Sequence, residues 1–187
     1  MPAPELIIVG GANGSGKTTF ASRYHRFLGV EFLNADNIAS DLADRGVGNA
    51  MITAGRIFFR RLEELLRLDR TFVIETTLSG TYINKVAERA RRRGFRVVTI
   101  FVFLDDVKLC IERVQNRVLK GGHKVPTEDI VRRYTRSNHN FRHHFTILSD
   151  AWLLLYNGGN DFQEVAKMVD HQTTIYSSHR YEQFQLL

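Results

Sequence analysis

Eight consecutive residues, Gly11-Ala12-Asn13-Gly14-Ser15-Gly16-Lys17-Thr18, fit the pattern Gly-x-x-x-x-Gly-Lys-[Ser/Thr]. Glycines at these points let backbone N–H groups curl around phosphate oxygens, and a helix beginning there adds its positive end. The lysine reaches the β- and γ-phosphates of a nucleotide as a point charge, and the hydroxyl after it suits Mg²⁺. On this reading Gly11, Asn13, Gly14, Ser15, Gly16, Lys17, Thr18 and Thr19 bind nucleotide, with Thr18 as the metal contact. Guanine-specific loops carry Asn-Lys-x-Asp, whereas Asn84-Lys85-Val86-Ala87 lacks the aspartate and falls in an expected helix. The expected nucleotide is therefore ATP.

Two carboxylates stand where they could act on such a nucleotide. Asp36 follows a short apolar run, where a carboxylate can take the proton of an attacking hydroxyl, or simply cap a helix. Glu75 ends the run Phe72-Val73-Ile74 with Thr76 and Thr77 beside it, and is expected near the Mg²⁺ region. Arg113, Arg117, Arg132, Arg133 and Arg136 flank a Gly121-Gly122 loop, and arginines on a closing flap stabilise charge on a transferring phosphoryl group. Arg113 and Arg117 are four apart and share a helix face. His139, His143 and His144 read as a polar helix face, since no cysteine or His-Glu-x-x-His pattern accompanies them.

The elements that would hold these residues alternate. Glu5 to Gly10, Val30 to Asn34, Arg70 to Ile74, Arg96 to Leu104 and Trp152 to Tyr156 read as five buried strands. Gly16 to Leu28, Asn49 to Leu68, Tyr82 to Arg93, Val107 to Leu119 and Glu128 to Leu148 have helical spacing of apolar residues. From about Asp161 onward the pattern is mixed, and a final helix and strand are expected. The alternation predicts an α/β fold, an open parallel sheet flanked by helices. Such sheets bind ligands beyond the carboxyl ends of their strands. Gly10-Gly11, Asn34 to Asp36, Glu75 to Thr77, Asp105-Asp106 and Asn157 all follow strands, so one sheet edge collects the polar residues.

The chain has 187 residues and no linker-like tract, which predicts a single domain. No apolar run approaches the ~20 residues that span a bilayer, and no signal segment is expected at the start. A lone cysteine, Cys110, suits a reducing cytoplasm. The net charge of +6 attracts phosphates generally, so nucleic acid stays among the admissible partners beside nucleotides.

Taken in order, Gly11 to Thr18, Asn34-Ala35-Asp36, Glu75-Thr76-Thr77-Leu78-Ser79-Gly80, Gly121-Gly122-His123-Lys124-Val125-Pro126 and Arg132-Arg133-Tyr134 resemble the zeta-toxin family of P-loop kinases. The resemblance runs from about residue 5 to about residue 157 and implies strand order 2-3-1-4-5 with a helical lid, here about 113–136. It implies transfer of the γ-phosphoryl group of Mg·ATP to the 3′-hydroxyl of UDP-N-acetylglucosamine, and restraint by an antitoxin protein. By position it makes Lys17 and Arg113 phosphate contacts, Thr18 the Mg²⁺ ligand, Asp36 the base, and Glu75 and Thr77 substrate contacts. Ser79 and His123 stand where the toxins carry arginines. Arg117, Arg132 or Arg133 is the expected substitute for the second. A small-molecule hydroxyl is thus the expected acceptor. A nucleoside or nucleic-acid end kinase and a non-catalytic ATP-binding module are the alternatives.

Overall fold

The computed structural model describes residues 2–122 and 124–187; the expectation for His123 lies outside the described residues. In chain order the elements are β1 (Glu5–Gly10), α1 (Lys17–Leu28), β2 (Glu31–Leu33), α2 (Ala35–Asp44), α3 (Ala50–Arg67) and β3 (Phe72–Thr76). There follow α4 (Tyr82–Arg92), β4 (Arg96–Phe103), α5 (Val107–Leu119), α6 (Thr127–Asn140), a π-helical turn (Phe141–Phe145) and α7 (Thr146–Leu148). The chain closes with β5 (Ala151–Tyr156), β6 (Gln163–Val169), β7 (Gln172–Ile175) and α8 (Ser178–Gln185).

The strands form one sheet of order β2-β3-β1-β4-β5-β6-β7. The first five positions reproduce the expected parallel order 2-3-1-4-5. The sheet is not purely parallel or five-stranded, however. β6 pairs antiparallel with β5, and β7 antiparallel with β6, so the expected closing helix and strand are two strands and then α8. A short connection from Tyr156 to Gln163 permits only that antiparallel return, since a parallel crossover needs a dozen residues or more.

Alternation along β1 sends Leu6 and Ile8 to one face and Ile7 and Val9 to the other, all fully buried. The first face packs Phe58 and Leu62 of α3, Val86 of α4, Phe141 and Phe145 of the π turn, and Phe184 of α8. The second packs Ala21, Phe20 and Tyr24 of α1. A third cluster joins Cys110 and Val114 of α5 to Ile130 and Tyr134 of α6, against Ala12 and Leu104. Full burial of a side chain the size of Val, Leu, Ile or Phe stabilises the fold by about 1.5–3 kcal/mol.

Several boundaries differ from the sequence reading for identifiable reasons. β3 runs two residues further than the apolar run, because Glu75 and Thr76 pair with Val9 and Gly10 of β1. The expected helix Glu128 to Leu148 is interrupted by the π turn at Phe141–Phe145. Asp36 does not cap α2: Asn34 does, its side chain accepting the Asn37 N–H at 3.0 Å, while Asp36 lies in the first turn.

Candidate active site

The loop between β1 and α1 is built from backbone. Gly14 and Gly16 have φ of 82° and 96°, a left-handed region that glycine enters without a Cβ penalty. A Cβ on Gly14 would lie 2.4 Å from the Cys110 carbonyl oxygen, and one on Gly16 2.1 Å from Asn157 Nδ2. Asn13, Ser15 and Lys17 are buried. Ser15 Oγ has no hydrogen-bond partner among the described residues. A tight backbone cradle with an orphaned hydroxyl and a buried ammonium fits a phosphate chain.

Glu75 organises the adjoining corner. Pairing of β3 with β1 sets Glu75 opposite Val9, on the sheet face that carries α1. There Thr18 Oγ1 donates to Glu75 Oε1 at 2.7 Å, and Lys17 Nζ lies 3.7 Å from the same oxygen. Asn34 Nδ2 donates to Glu75 Oε2. Lys17 also donates to the Ala12 carbonyl at 3.3 Å. Burial pushes the Lys17 ammonium below its ordinary pKa, against the opposing attraction of Glu75 and Asp36. Asn34 was expected among the polar residues of this sheet edge but with no role of its own. The signal for it was its place directly after β2, which pairs Leu33 with Ile74 and so brings Asn34 beside Glu75.

A cavity of about 550 Å³ opens beside this corner. Asn13, Lys17, Asn34, Asp36, Glu75 and Thr77 line it, so the predicted base and the predicted acceptor contacts share one space with the lysine. Its outer walls carry Arg132, Arg133 and Arg136 from α6, and Phe59 and Tyr82, whose ring centroids are 4.6 Å apart. Arg133 donates to Asn13 Oδ1 at 3.3 Å, and Arg132 pairs with Asp129 at 2.6 Å. Ser79 lines the cavity too, its hydroxyl 2.8 Å from that of Thr77.

The Thr77-Leu78 segment is held in place from α6. Leu78 is fully buried at a φ of 53°, a left-handed conformation that a branched side chain rarely adopts. Its N–H donates to Thr76 Oγ1 at 3.1 Å and its carbonyl accepts from Asn140 Nδ2 at 2.7 Å. Ser137 Oγ donates to the Thr77 carbonyl at 2.6 Å.

The remaining predicted residues divide. Arg113 and Arg117 do not line the main cavity; with Asn116, Lys120 and Gly122 they line a separate one of about 340 Å³. Arg113 donates to the Asn157 carbonyl at 2.8 Å, and the charge of Arg117 bears on Lys17. Thr19 is exposed on α1 and lines neither cavity. The strand-end acids after β4 serve structure: Asp106 caps α5, and Asp105 accepts from Tyr156 and Arg180.

A family profile for the AAA domain matches residues 6–139. The chain belongs to this AAA domain family. Among relatives of this AAA domain chain, an uncharacterized protein of Haemophilus influenzae (strain Rd) is 31% identical over 128 residues, covering 68% of this chain and 90% of the other. A shikimate kinase of Chlorobium chlorochromatii is 29% identical over 140 residues, covering 68% and 70%. The fold, an α/β P-loop kinase fold, recurs in the AvrRxo1-ORF1:-ORF2 structure with ATP, at a TM-score of 0.77 and 18% identity over 97% of this chain. The present chain spans 63% of the length of that one. It recurs also in the PezAT chromosomal toxin-antitoxin system of Streptococcus pneumoniae, at a TM-score of 0.67 and 16% identity, covering 100% of this chain and 85% of that one. Among the described residues, no helix is long and apolar enough to cross a membrane.

Proposed function

We propose that this AAA domain protein transfers the γ-phosphoryl group of ATP to a hydroxyl of a small anionic molecule. The observation that carries the reading is the sharing of one cavity by Asp36, Lys17 and the α6 arginines. The relatives named as kinases support it from outside. The acceptor oxygen bonds to the γ-phosphorus while the bond from that phosphorus to the β,γ-bridging oxygen breaks, and the hydroxyl proton passes to the Asp36 carboxylate.

The residues divide the work by position. Backbone N–H groups of Gly11 to Lys17 hold the phosphates, and Lys17 neutralises their charge. Thr18 and Glu75 present oxygens of the hard kind that Mg²⁺ takes, and would hold it. Bound there, Mg²⁺ would neutralise charge on the transferring group. Arg113 and Arg117, which line the separate cavity, act as the lid of about 113–136 closes. Thr77 positions the acceptor hydroxyl, and Arg132 and Arg136 hold its anionic group.

Within this class, UDP-N-acetylglucosamine is the acceptor that the motifs favour. Ser79 removes one arginine from that site, and the α6 arginines supply positive charge from another wall. An antitoxin partner belongs to the same proposal and rests on the shared motifs; growth arrest on expression, relieved by a co-expressed partner, is its readout. The experiment for the reaction is incubation with γ-labelled ATP and Mg²⁺ and a panel of UDP-N-acetylglucosamine, shikimate, nucleosides and RNA ends. Label on a small anionic alcohol supports the reading. Label on RNA ends alone, or tight ATP binding without label anywhere, overturns it.

A further inference from the structure

Asn157 follows β5 at the edge of the sheet where the phosphate loop begins, and three of its polar groups are engaged. Its N–H donates to the Phe103 carbonyl at 3.1 Å, its carbonyl accepts from Arg113 Nη2 at 2.8 Å, and its Nδ2 donates to the Ser15 carbonyl at 2.8 Å. The last of these bonds joins residues 142 apart in sequence. The room for it comes from Gly16, where any Cβ would lie 2.1 Å from the same amide nitrogen.

A peptide unit is planar and trans, so its C=O and N–H point opposite ways. A bond that pins the Ser15 carbonyl toward Asn157 therefore turns the Gly16 N–H the other way. Among the described residues that N–H donates to no protein acceptor. Gly16 has the backbone freedom to let this peptide rotate, and Asn157 is the group that opposes rotation. The strand end bearing Asn157 is itself braced, with the Arg180 guanidinium 3.9 Å over the Tyr156 ring and Asp105 joined to both.

We propose that Asn157 is a positioning residue for the nucleotide's β- and γ-phosphates: its side chain fixes the Ser15–Gly16 peptide with its N–H toward the phosphates. The inference rests on the loop binding nucleotide phosphates, and it concerns neither the acceptor nor Asp36.

Calorimetric titration of wild type, N157A and N157D with Mg·ADP and with AMP tests it. Mg·ADP affinity falls about 10- to 100-fold in N157A, the scale of losing one hydrogen bond to a phosphate-holding peptide. It falls at least as far in N157D, whose ionised carboxylate has no proton to give the Ser15 carbonyl. AMP, which lacks the phosphates at issue, keeps its affinity within about twofold. Lowering the pH to 5 returns part of the lost Mg·ADP affinity to N157D relative to wild type, because a protonated carboxyl donates again, and returns none to N157A. Equal loss of ADP and AMP points to local unfolding and overturns the proposal, as does ADP affinity within twofold of wild type in both variants. A wild-type protein that binds no Mg·ADP sinks the kinase reading together with this inference, a pattern distinct from wild-type binding that the variants leave intact.

Discussion

The Thr18 hydroxyl donates to Glu75 Oε1 at 2.7 Å, joining the first turn of α1 to the end of β3. Glu75 also meets Lys17 and Asn34, so one buried carboxylate serves a hydroxyl, an ammonium and an amide. A glutamine there has one acceptor oxygen and no charge. E75Q is expected to lower ATP turnover about 100-fold or more and to raise the Mg²⁺ concentration needed for half-maximal rate. Initial rates across a Mg²⁺ titration give the answer, and turnover within threefold of wild type speaks against the role.

Burial holds the Lys17 pKa below its ordinary 10.5, and this has a pH consequence for the nucleotide-free protein. Between the lowered value and 10.5 the unfolded chain keeps a proton that the folded chain gives up, so the Lys17 contribution to stability rises with pH. Cys110, pushed by burial from 9.0 up to about 12, works the opposite way at alkaline pH, so the comparison must be with K17M. The difference in urea unfolding free energy, wild type minus K17M, is expected to grow in favour of wild type as the pH is raised from neutral toward 10.5. A difference that stays flat across that range contradicts the burial argument.

Leu78 keeps its left-handed backbone because α6 accounts for the carbonyls at 77 and 78. N140A removes the donor to the Leu78 carbonyl and is expected to cost about 1–2 kcal/mol of stability. It should also raise KM for the acceptor more than KM for ATP, since Thr77 and Ser79 adjoin the released residue. Unfolding curves that superpose on wild type would show that the strained segment holds itself.

What the sequence disclosed follows from how local each signal is. β1 and α5 match their expected limits because a continuous apolar run and an Asp106 cap are local facts. The phosphate loop needed only eight residues in a row. One closing strand was expected where β6 and β7 stand, and neither was placed, because Gln163-Glu164 and the wholly exposed Gln172–Ile175 lack the apolar run that marks a buried strand. The π turn adds no residue type that a helical pattern lacks, so α6 read as one long helix. Which arginines share the main cavity could not be read from spacing: Arg132, Arg133 and Arg136 line it, while Arg113 and Arg117 line another. Asn34 acquired its place at Glu75 through strand register, a long-range fact.

Asp36 is exposed on the first turn of α2 and shares the cavity with Lys17, so its loss should touch chemistry and not folding. The most direct measurement is the rate of γ-phosphoryl transfer by D36N beside its Mg·ATP affinity, with the acceptor that labelling identifies. Transfer is expected to fall about 10²- to 10⁴-fold, the usual scale for a general base, with Mg·ATP affinity unchanged within about twofold. Transfer within threefold of wild type, or transfer and ATP affinity falling together, contradicts an Asp36-assisted kinase.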